Sequence, residues 1–566
     1  MNLFSGSKAL SWCLCIWALL YATALGFIPL PKLRGVVQSS LSPAEASESA
    51  EPLPKRVAII GAGAAGASTA YSLRKYAEEQ GVQLNITVFE RADYVGGRST
   101  TVNVFDNPAY PIELGASIFV EVNYNLVNAS KDLGLGVKSA GYERPHETAE
   151  VLGVWDGKEF VFVMEESSSW WNIAKLIWRY GLAPVRTQNL MKSTVNKFLQ
   201  LYNEPMFPFQ SLTAAAASVG LLDATSTPGA TFLTKNSIGD DFAREIIQAS
   251  TRVNYGQNIP LIHGLETMVC MATDGAVAIE GGNWRIFDGM LKSAGVDLRL
   301  NHTVSTITRN VDKNTVTLDF SDQRLKRIHA ADFDEVVIAA PYQYSGLTVN
   351  PPLERTPDTI PFQTLHVTLF SSPHRLSWKY FNLKGPSEHT PETILTTLPR
   401  GTDLGDTEEG VGPAGFWSIS TLRTVTTENK ETHYVYKIFS PARPTATFIN
   451  DILGIQQSDS TSANSGSDPD YSVIGDIPKE DVSWFYEKFW HPYPFMYPRV
   501  TFEDPILAPS VWYTGGIESF ISTMETSALM GKNVAALIAR SWEDQDEDGE
   551  VKGLDDAPVD DERVEL

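Results

Sequence analysis

Cysteine is nearly absent from this chain: three in 566 residues. Cys13 and Cys15 fall in the apolar N-terminal run, which leaves Cys270, and one thiol cannot close an internal disulfide. Cys270 sits in Met268-Val269-Cys270-Met271 and reads as a buried packing residue. Basic charge is also scarce. Forty-five Lys and Arg stand against 68 Asp and Glu, a formal net charge of −23, which argues against nucleic acid as a partner because phosphate binding needs clustered cations. The nine histidines show neither HxH nor HExxH spacing and have no cysteine partners, so no metal site is expected. No Ser-His-Asp or Cys-His signature of a protein nucleophile is recognisable. Beyond the N-terminus no run is apolar enough to span a bilayer.

What is present begins with targeting features. Lys8, the apolar stretch Ala9–Leu25 and the small residues Ala22-Thr23-Ala24 have the pattern of a signal peptide over residues 1–24, with an uncleaved anchor as the alternative. Glycosylation acceptors at Asn85, Asn128 and Asn301 agree with a secretory route, to a lysosome or vacuole or out of the cell. Residues 25–54 read as a linker, and 456–470 as a flexible low-complexity insertion. Residues 543–566 carry twelve acids against Lys552 and Arg563 and are expected to form a solvated, disordered tail. The final Arg563-Val564-Glu565-Leu566 only loosely matches a lumenal retention signal.

The strongest local signal lies between these ends. Val57-Ala58-Ile59-Ile60 suits a buried parallel strand, Ala64–Tyr76 a helix, and Asn85–Glu90 a second strand. The turn between the first strand and the helix is Gly61-Ala62-Gly63-Ala64-Ala65-Gly66. Gly61 allows the tight turn, Gly63 lets a pyrophosphate approach the backbone, and Gly66 lets helix and strand pack closely. The helix N-terminus then offers unpaired N–H groups to phosphate. Glu90 ends the second strand 24 residues past Gly66, where a carboxylate accepts from an adenosine ribose and repels a 2′-phosphate. These residues alone leave NAD and FAD open.

Downstream, residues 166–203 are helical and aromatic, with Trp170, Trp171, Trp178 and Phe198 among them. They suit the lining of an apolar slot, an ordinary helix-packing core, or a helix resting on a membrane surface. Residues 363–440 carry the β-branched and aromatic runs of an antiparallel sheet, and Ser527–Trp542 a closing helix.

Several further strings separate the cofactors by resemblance. Tyr94-Val95-Gly96-Gly97-Arg98-Ser99 resembles the second glycine motif of FAD-dependent amine oxidases and carotenoid desaturases. Glu113-Leu114-Gly115-Ala116 is similar to their flavin-side turn, Val304 holds the position whose backbone meets adenine, and Gly515-Gly516-Ile517-Glu518 is similar to their C-terminal flavin motif. The resemblance implies FAD, held by Gly61–Gly66, Glu90, Gly96, Gly97, Arg98, Gly115, Ala116, Val304, Gly516 and Glu518. A narrower resemblance, from about residue 55 to 542, is to the prenylcysteine oxidases, also called prenylcysteine lyases. Its strings are Glu113–Ile118, Trp178–Gly181, Arg252-Val253-Asn254-Tyr255-Gly256-Gln257, Ile279–Asn283 and Tyr436–Ser440.

The family implies an α/β chain. A glutathione-reductase-type Rossmann-like FAD domain comes from residues 55–165, 276–345 and 501–542, interleaved with an α+β substrate domain from 166–275 and 346–500 that carries the antiparallel sheet. It also implies a reaction: O2 and water cleave a farnesyl- or geranylgeranyl-cysteine thioether to a prenyl aldehyde, cysteine and hydrogen peroxide. The flavin does the chemistry and the protein orients the substrate and excludes water. Tyr255 is the candidate to face flavin and substrate, and His491 to meet the amino acid end. An amine or polyamine oxidase on the same fold, and a flavin-holding scaffold without turnover, are the competing readings. Amine oxidases often place a lysine near the flavin through a water, and no lysine in this sequence can be assigned that role.

Overall fold

The computed structural model describes residues 53–140, 150–165, 169–456 and 473–548. The first apolar run is β1 (Lys55–Ile60), which leads through the glycine turn into α1 (Ala64–Gln80) and back through β2 (Leu84–Glu90), parallel to β1. A hairpin of β3 (Glu150–Trp155) and β4 (Phe160–Glu165) precedes a helical region that includes α2 (Ser169–Tyr180), α3 (Ala183–Phe198) and α4 (Gln248–Tyr255). Next come β5 (Asp297–Leu300), β6 (Glu335–Ile338), β7 (Leu365–Ser372), β8 (Thr393–Thr396), β9 (Ser418–Thr426), β10 (Thr432–Ser440) and β11 (Trp484–Trp490). The chain closes with β12 (Ile506–Ala508), β13 (Val511–Tyr513) and α5 (Met524–Asp548).

Two sheets carry the architecture. The first, in the order β12-β13-β6-β1-β2-β5, is parallel except at its edge strand β12. Val57, Ala58 and Ile59 on β1 are fully buried, so this strand is apolar throughout rather than alternating. α1 and α5 cover one face and pack closely: a Cβ on Gly531 would stand 2.2 Å from the Ala65 carbonyl oxygen. Leu73, Leu537, Ile538 and Trp542 join the core there, each aliphatic side chain stabilising the fold by roughly 1.5–3 kcal/mol.

The second sheet runs β11-β7-β10-β9-β8-β3-β4 and is antiparallel except where β8 meets β3. Its strands alternate. Tyr436 and Ile438 pack with Phe370, Ile394 and Ile419 in the core that also takes the helix Ala446–Leu453. Lys437 and Phe439, between and beside them, face the other way, into a cavity. Among the described residues no helix is long and apolar enough to cross a membrane.

Three boundaries differ from those expected. Residues 150–165, assigned to the dinucleotide half, form β3 and β4 of the second sheet, because β3 pairs with β8 and β4 pairs with β3. Thr348–Asn350, assigned to the substrate half, pairs with Thr306–Thr308 in a four-stranded sheet beside the first. The closing helix starts at Met524 and runs to Asp548, so 543–548 of the expected tail are helical; Gln80 holds its end through Glu543 at 2.6 Å and the Ala539 carbonyl. The signal peptide, all but the first residue of the 456–470 insertion and residues 549–566 lie outside the described residues.

Candidate functional site

One cavity of about 1010 Å³, at the upper end of the usual range for ligand sites, runs between the two sheets. Its nucleotide end is built at the carboxyl edge of β1 and β2, where open α/β sheets bind ligands. Gly61, Gly63, Ala64 and Ala65 line it. A Cβ on Gly63 would meet nothing nearer than 4.0 Å, so this position faces open space rather than packed backbone. On Gly66 a Cβ would stand 1.9 Å from the Gly61 oxygen; this glycine serves the packing of α1 on β1 and does not line the cavity. Gly63 caps α1 without a side-chain bond, and the first turn holds no acid, which leaves N–H groups for an anion. Glu90 lines the cavity and accepts from the backbone N–H groups of Ala62 at 2.9 Å and Ala92 at 2.8 Å. Val304 and His302 lie on the same wall.

The other residues expected to hold the flavin converge from distant sequence. Arg98 forms a bidentate pair with Glu518 at 2.7 and 2.9 Å and donates to the Pro492 carbonyl at 2.6 Å. This ties the Gly96-Gly97-Arg98 turn to the C-terminal motif. Gly96, Gly97, Gly115 and Ala116 line the cavity, whereas Gly516 sits behind the wall, where a Cβ would stand 2.3 Å from the Glu503 oxygen. Ser522 to Ser527, which lead into the first turn of α5, close this end. A cradle of glycines, an acid at the end of β2 and two helix N-termini on one cavity fit an FAD molecule.

Tyr255 is buried in the cavity wall, donates to the Ser522 carbonyl at 3.0 Å and meets Tyr493 edge-on at 5.2 Å. Burial holds its hydroxyl well above the ordinary tyrosine range, so it is a neutral donor. His491 lies elsewhere, on the exposed rim. It stacks on Tyr344 at 5.7 Å, whose carbonyl accepts from Arg91, the residue after Glu90. The structure therefore brings His491 to the nucleotide-side rim.

Sequence reading missed two features. Lys437 projects from β10 into the cavity, its Nζ 3.1 Å from the Glu113 carbonyl oxygen, and burial lowers it to about 8. Its only sequence signal is its place in Tyr436–Ser440. The second is the apolar lobe. Of residues 166–203, Val195, Phe198 and Leu199 line it, Leu176 is core, and Ile177 and Trp178 face solvent, so the segment divides between cavity lining, packing core and exposed surface. Most of the lobe comes instead from Leu152, Val154, Phe162, Met164 and Leu395 of the second sheet.

Among the buried acids, Glu113, Glu335 and Glu525 are each pushed by burial to about 7, and Glu266 to about 8. A carboxyl whose folded-state pKa is raised gives stability that is complete below its unfolded value of about 4.3 and lost as pH rises through the folded value. Burial lowers His263 to about 4 and also lowers His366 and His433, which acts in the opposite sense, but only below about 6.5. The melting temperature is therefore expected to fall between pH 6.5 and 8, and Glu266→Gln to flatten that fall. Thermal melts across this range check it; a rising melting temperature would refute it.

The sequence model of the prenylcysteine lyase family matches residues 163–550, and that of an NAD(P)-binding Rossmann-like domain matches 59–130. A rat protein named prenylcysteine oxidase 1 is 28% identical over 515 residues, 87% of this chain and 91% of its own. An Arabidopsis thaliana protein named farnesylcysteine lyase is 27% identical over 503 residues, covering 86% and 88%. Among solved structures, an engineered putrescine oxidase aligns with a TM-score of 0.50 at 16% identity, over 86% of this chain and 100% of its own. A fatty acid isomerase from P. acnes aligns with 0.50 at 14%, over 85% and 98%. These two structural likenesses speak to the fold alone.

Proposed function

Because the chain belongs to the prenylcysteine lyase family, we propose that it is an FAD-dependent thioether oxidase acting on S-prenyl-L-cysteine. The observation that carries this is the continuous cavity that joins the dinucleotide cradle at Gly61–Glu90 to an apolar lobe at Leu152, Phe162 and Leu395. In the net reaction, prenylcysteine, O2 and water give a prenyl aldehyde, cysteine and hydrogen peroxide, a step in the breakdown of prenylated proteins. Bound FAD supplies the two-electron chemistry, accepting a hydride from the carbon beside the sulfur. The chain holds and orients: Gly63 and the α1 N-terminus take the pyrophosphate, Glu90 the ribose, and the Arg98–Glu518 pair fixes the turn beside them. The apolar lobe keeps water from the reacting carbon until the hydride has left; water then adds to the allylic thiocarbenium so formed, and the hemithioacetal collapses to the aldehyde and cysteine. No side chain need act as a nucleophile.

The same reading places the chain in the lumen of a lysosome or vacuole, or outside the cell. Asn85 and Asn128 are exposed and Asn301 half-buried as glycan acceptors. Trp178 and Leu182, exposed at the α2–α3 turn, are the surface on which a peripheral membrane contact would rest. Purified chain incubated with farnesylcysteine is expected to release an aldehyde, a free thiol and peroxide, and to release no peroxide with putrescine or spermidine. Peroxide with the amines alone would replace this reading with an amine oxidase, and a flavin left unbleached by farnesylcysteine under anaerobic conditions would leave a scaffold.

A further inference from the structure

The register of the second sheet orders the cavity wall. Lys437 stands opposite Ser420, Ser420 opposite Thr393, Thr393 opposite Leu152, and Leu152 opposite Met164. A second row, one pleat repeat away, runs Phe439, Ser418, Leu395, Val154, Phe162. Residues directly opposite share a face, and all ten line the cavity. Read across β10, β9, β8, β3 and β4, the Lys437 row changes in one direction from a cation, through the hydroxyls of Ser420 and Thr393, to apolar side chains, while the neighbouring row is apolar apart from Ser418. Four strand spacings of about 4.8 Å make this path about 19 Å long, far beyond the reach of a small amine. Val195 and Phe198 of α3, with Ile246 and Val253, face the apolar end.

The polar end is incompletely satisfied by the protein. The Thr393 hydroxyl is buried without a hydrogen-bond partner. The Lys437 ammonium has the Glu113 carbonyl at 3.1 Å, and that carbonyl opens the turn Glu113–Ala116 beside the flavin cradle. A substrate head held here would have its thioether beside that turn and its tail directed away from it.

We propose that this face is the substrate platform. Lys437 takes the α-carboxylate of the prenylcysteine, Ser420, Ser418 and Thr393 take the remaining polar atoms of its head, and the prenyl tail crosses β8, β3 and β4 in that order, ending between Phe162 and Met164. The assignment rests on the thioether oxidase reading and names its specificity residues.

Lys437→Met tests the head. KM for farnesylcysteine is expected to rise roughly ten- to hundredfold, the worth of one charge-assisted bond, with a much smaller change in kcat. The penalty should be far smaller with farnesylcysteine methyl ester, and Lys437→Arg should recover part of the loss. Calorimetric titration with S-dodecylcysteine, whose saturated thioether lacks allylic activation, should show the same weakening without turnover. Phe162→Trp and Phe162→Ala test the tail: the geranylgeranyl-to-farnesyl ratio of kcat/KM should fall in the first and rise in the second. Equal penalties on acid and ester, a loss confined to reoxidation by O2, or an unmoved chain-length ratio would overturn the platform. Failure of the unaltered chain to oxidise farnesylcysteine would instead sink the functional reading on which it rests.

Discussion

A Gly63→Val variant is expected to fold, to melt near the temperature of the flavin-free parent, and to purify without yellow colour. The glycine turn separates two roles that substitution can distinguish. At Gly63 the nearest atoms to an added Cβ are the Gly96 carbonyl oxygen and the Gly97 Cα, both at 4.0 Å, so the protein itself leaves room for a Cβ there, and the γ-methyls are expected to turn into the open cavity. The space that valine would occupy is the path of a pyrophosphate approaching the α1 N-terminus. Blocking it costs the phosphate its N–H partners, and a loss of about 4 kcal/mol lowers affinity by roughly a thousandfold. Gly66→Ala is the contrasting variant. Its Cβ would meet the Gly61 oxygen at 1.9 Å, which forces α1 away from β1 and reduces stability before any ligand is considered. Absorbance of the purified proteins, flavin titration and thermal melts separate the two. A yellow, normally loaded Gly63→Val protein would refute the location of the pyrophosphate. A colourless one that has also lost its melting transition would show that Gly63 has a packing role.

The dinucleotide half was legible in the sequence because its constraints are local. Three glycines, a strand, a helix and a terminal acid lie within residues 55–90, and each is demanded by backbone geometry. Arg98 and Glu518 were legible only through resemblance, since their pairing spans 420 positions. The substrate half was less accessible. The strip that forms the apolar lobe draws Leu152 and Val154 from one hairpin and Leu395 from a strand more than two hundred residues later, and β3 and β8 meet as parallel neighbours without a direct connection. Nothing in the period of β3 or β4 names their partner. Lys437 shows the same limit: a lysine in an alternating strand ordinarily faces water, and only the closure of the sheet over the flavin turn buries it.

The specific string Arg252–Gln257 yields a prediction of comparable size on stability. Arg252 is fully buried, and burial lowers its guanidinium to about 9. It lies 4.7 Å over the Trp417 ring and donates to Thr396 at 2.9 Å, Asn258 at 2.9 Å, and the carbonyls of Gly410 and Val411 at 3.0 and 2.6 Å. No carboxylate is among these partners, so carbonyl dipoles and a ring face stabilise the charge. Arg252→Met removes the charge and roughly keeps the volume, which relieves desolvation, yet it takes the donor from the Asn258 Oδ1 and the Val411 carbonyl, while the Gly410 carbonyl keeps the Asn258 amide at 2.7 Å. The lost bonds outweigh the relief, because Asn258 is buried and its side-chain oxygen has no other donor among the described bonds. The variant is expected to lose about 3 kcal/mol and to melt several degrees lower, and Arg252→Lys should fall between, lacking the planar fork. The effect should reach the site. Arg252 anchors Thr396 at the end of β8, and Tyr255, one helical turn on, closes the cavity against Ser522. Protease nicking near residue 410 and a raised KM for farnesylcysteine should therefore accompany the lower melting temperature. An unchanged melt would mean that the carbonyls find other donors, and that the fold has no physical need of an arginine at that position.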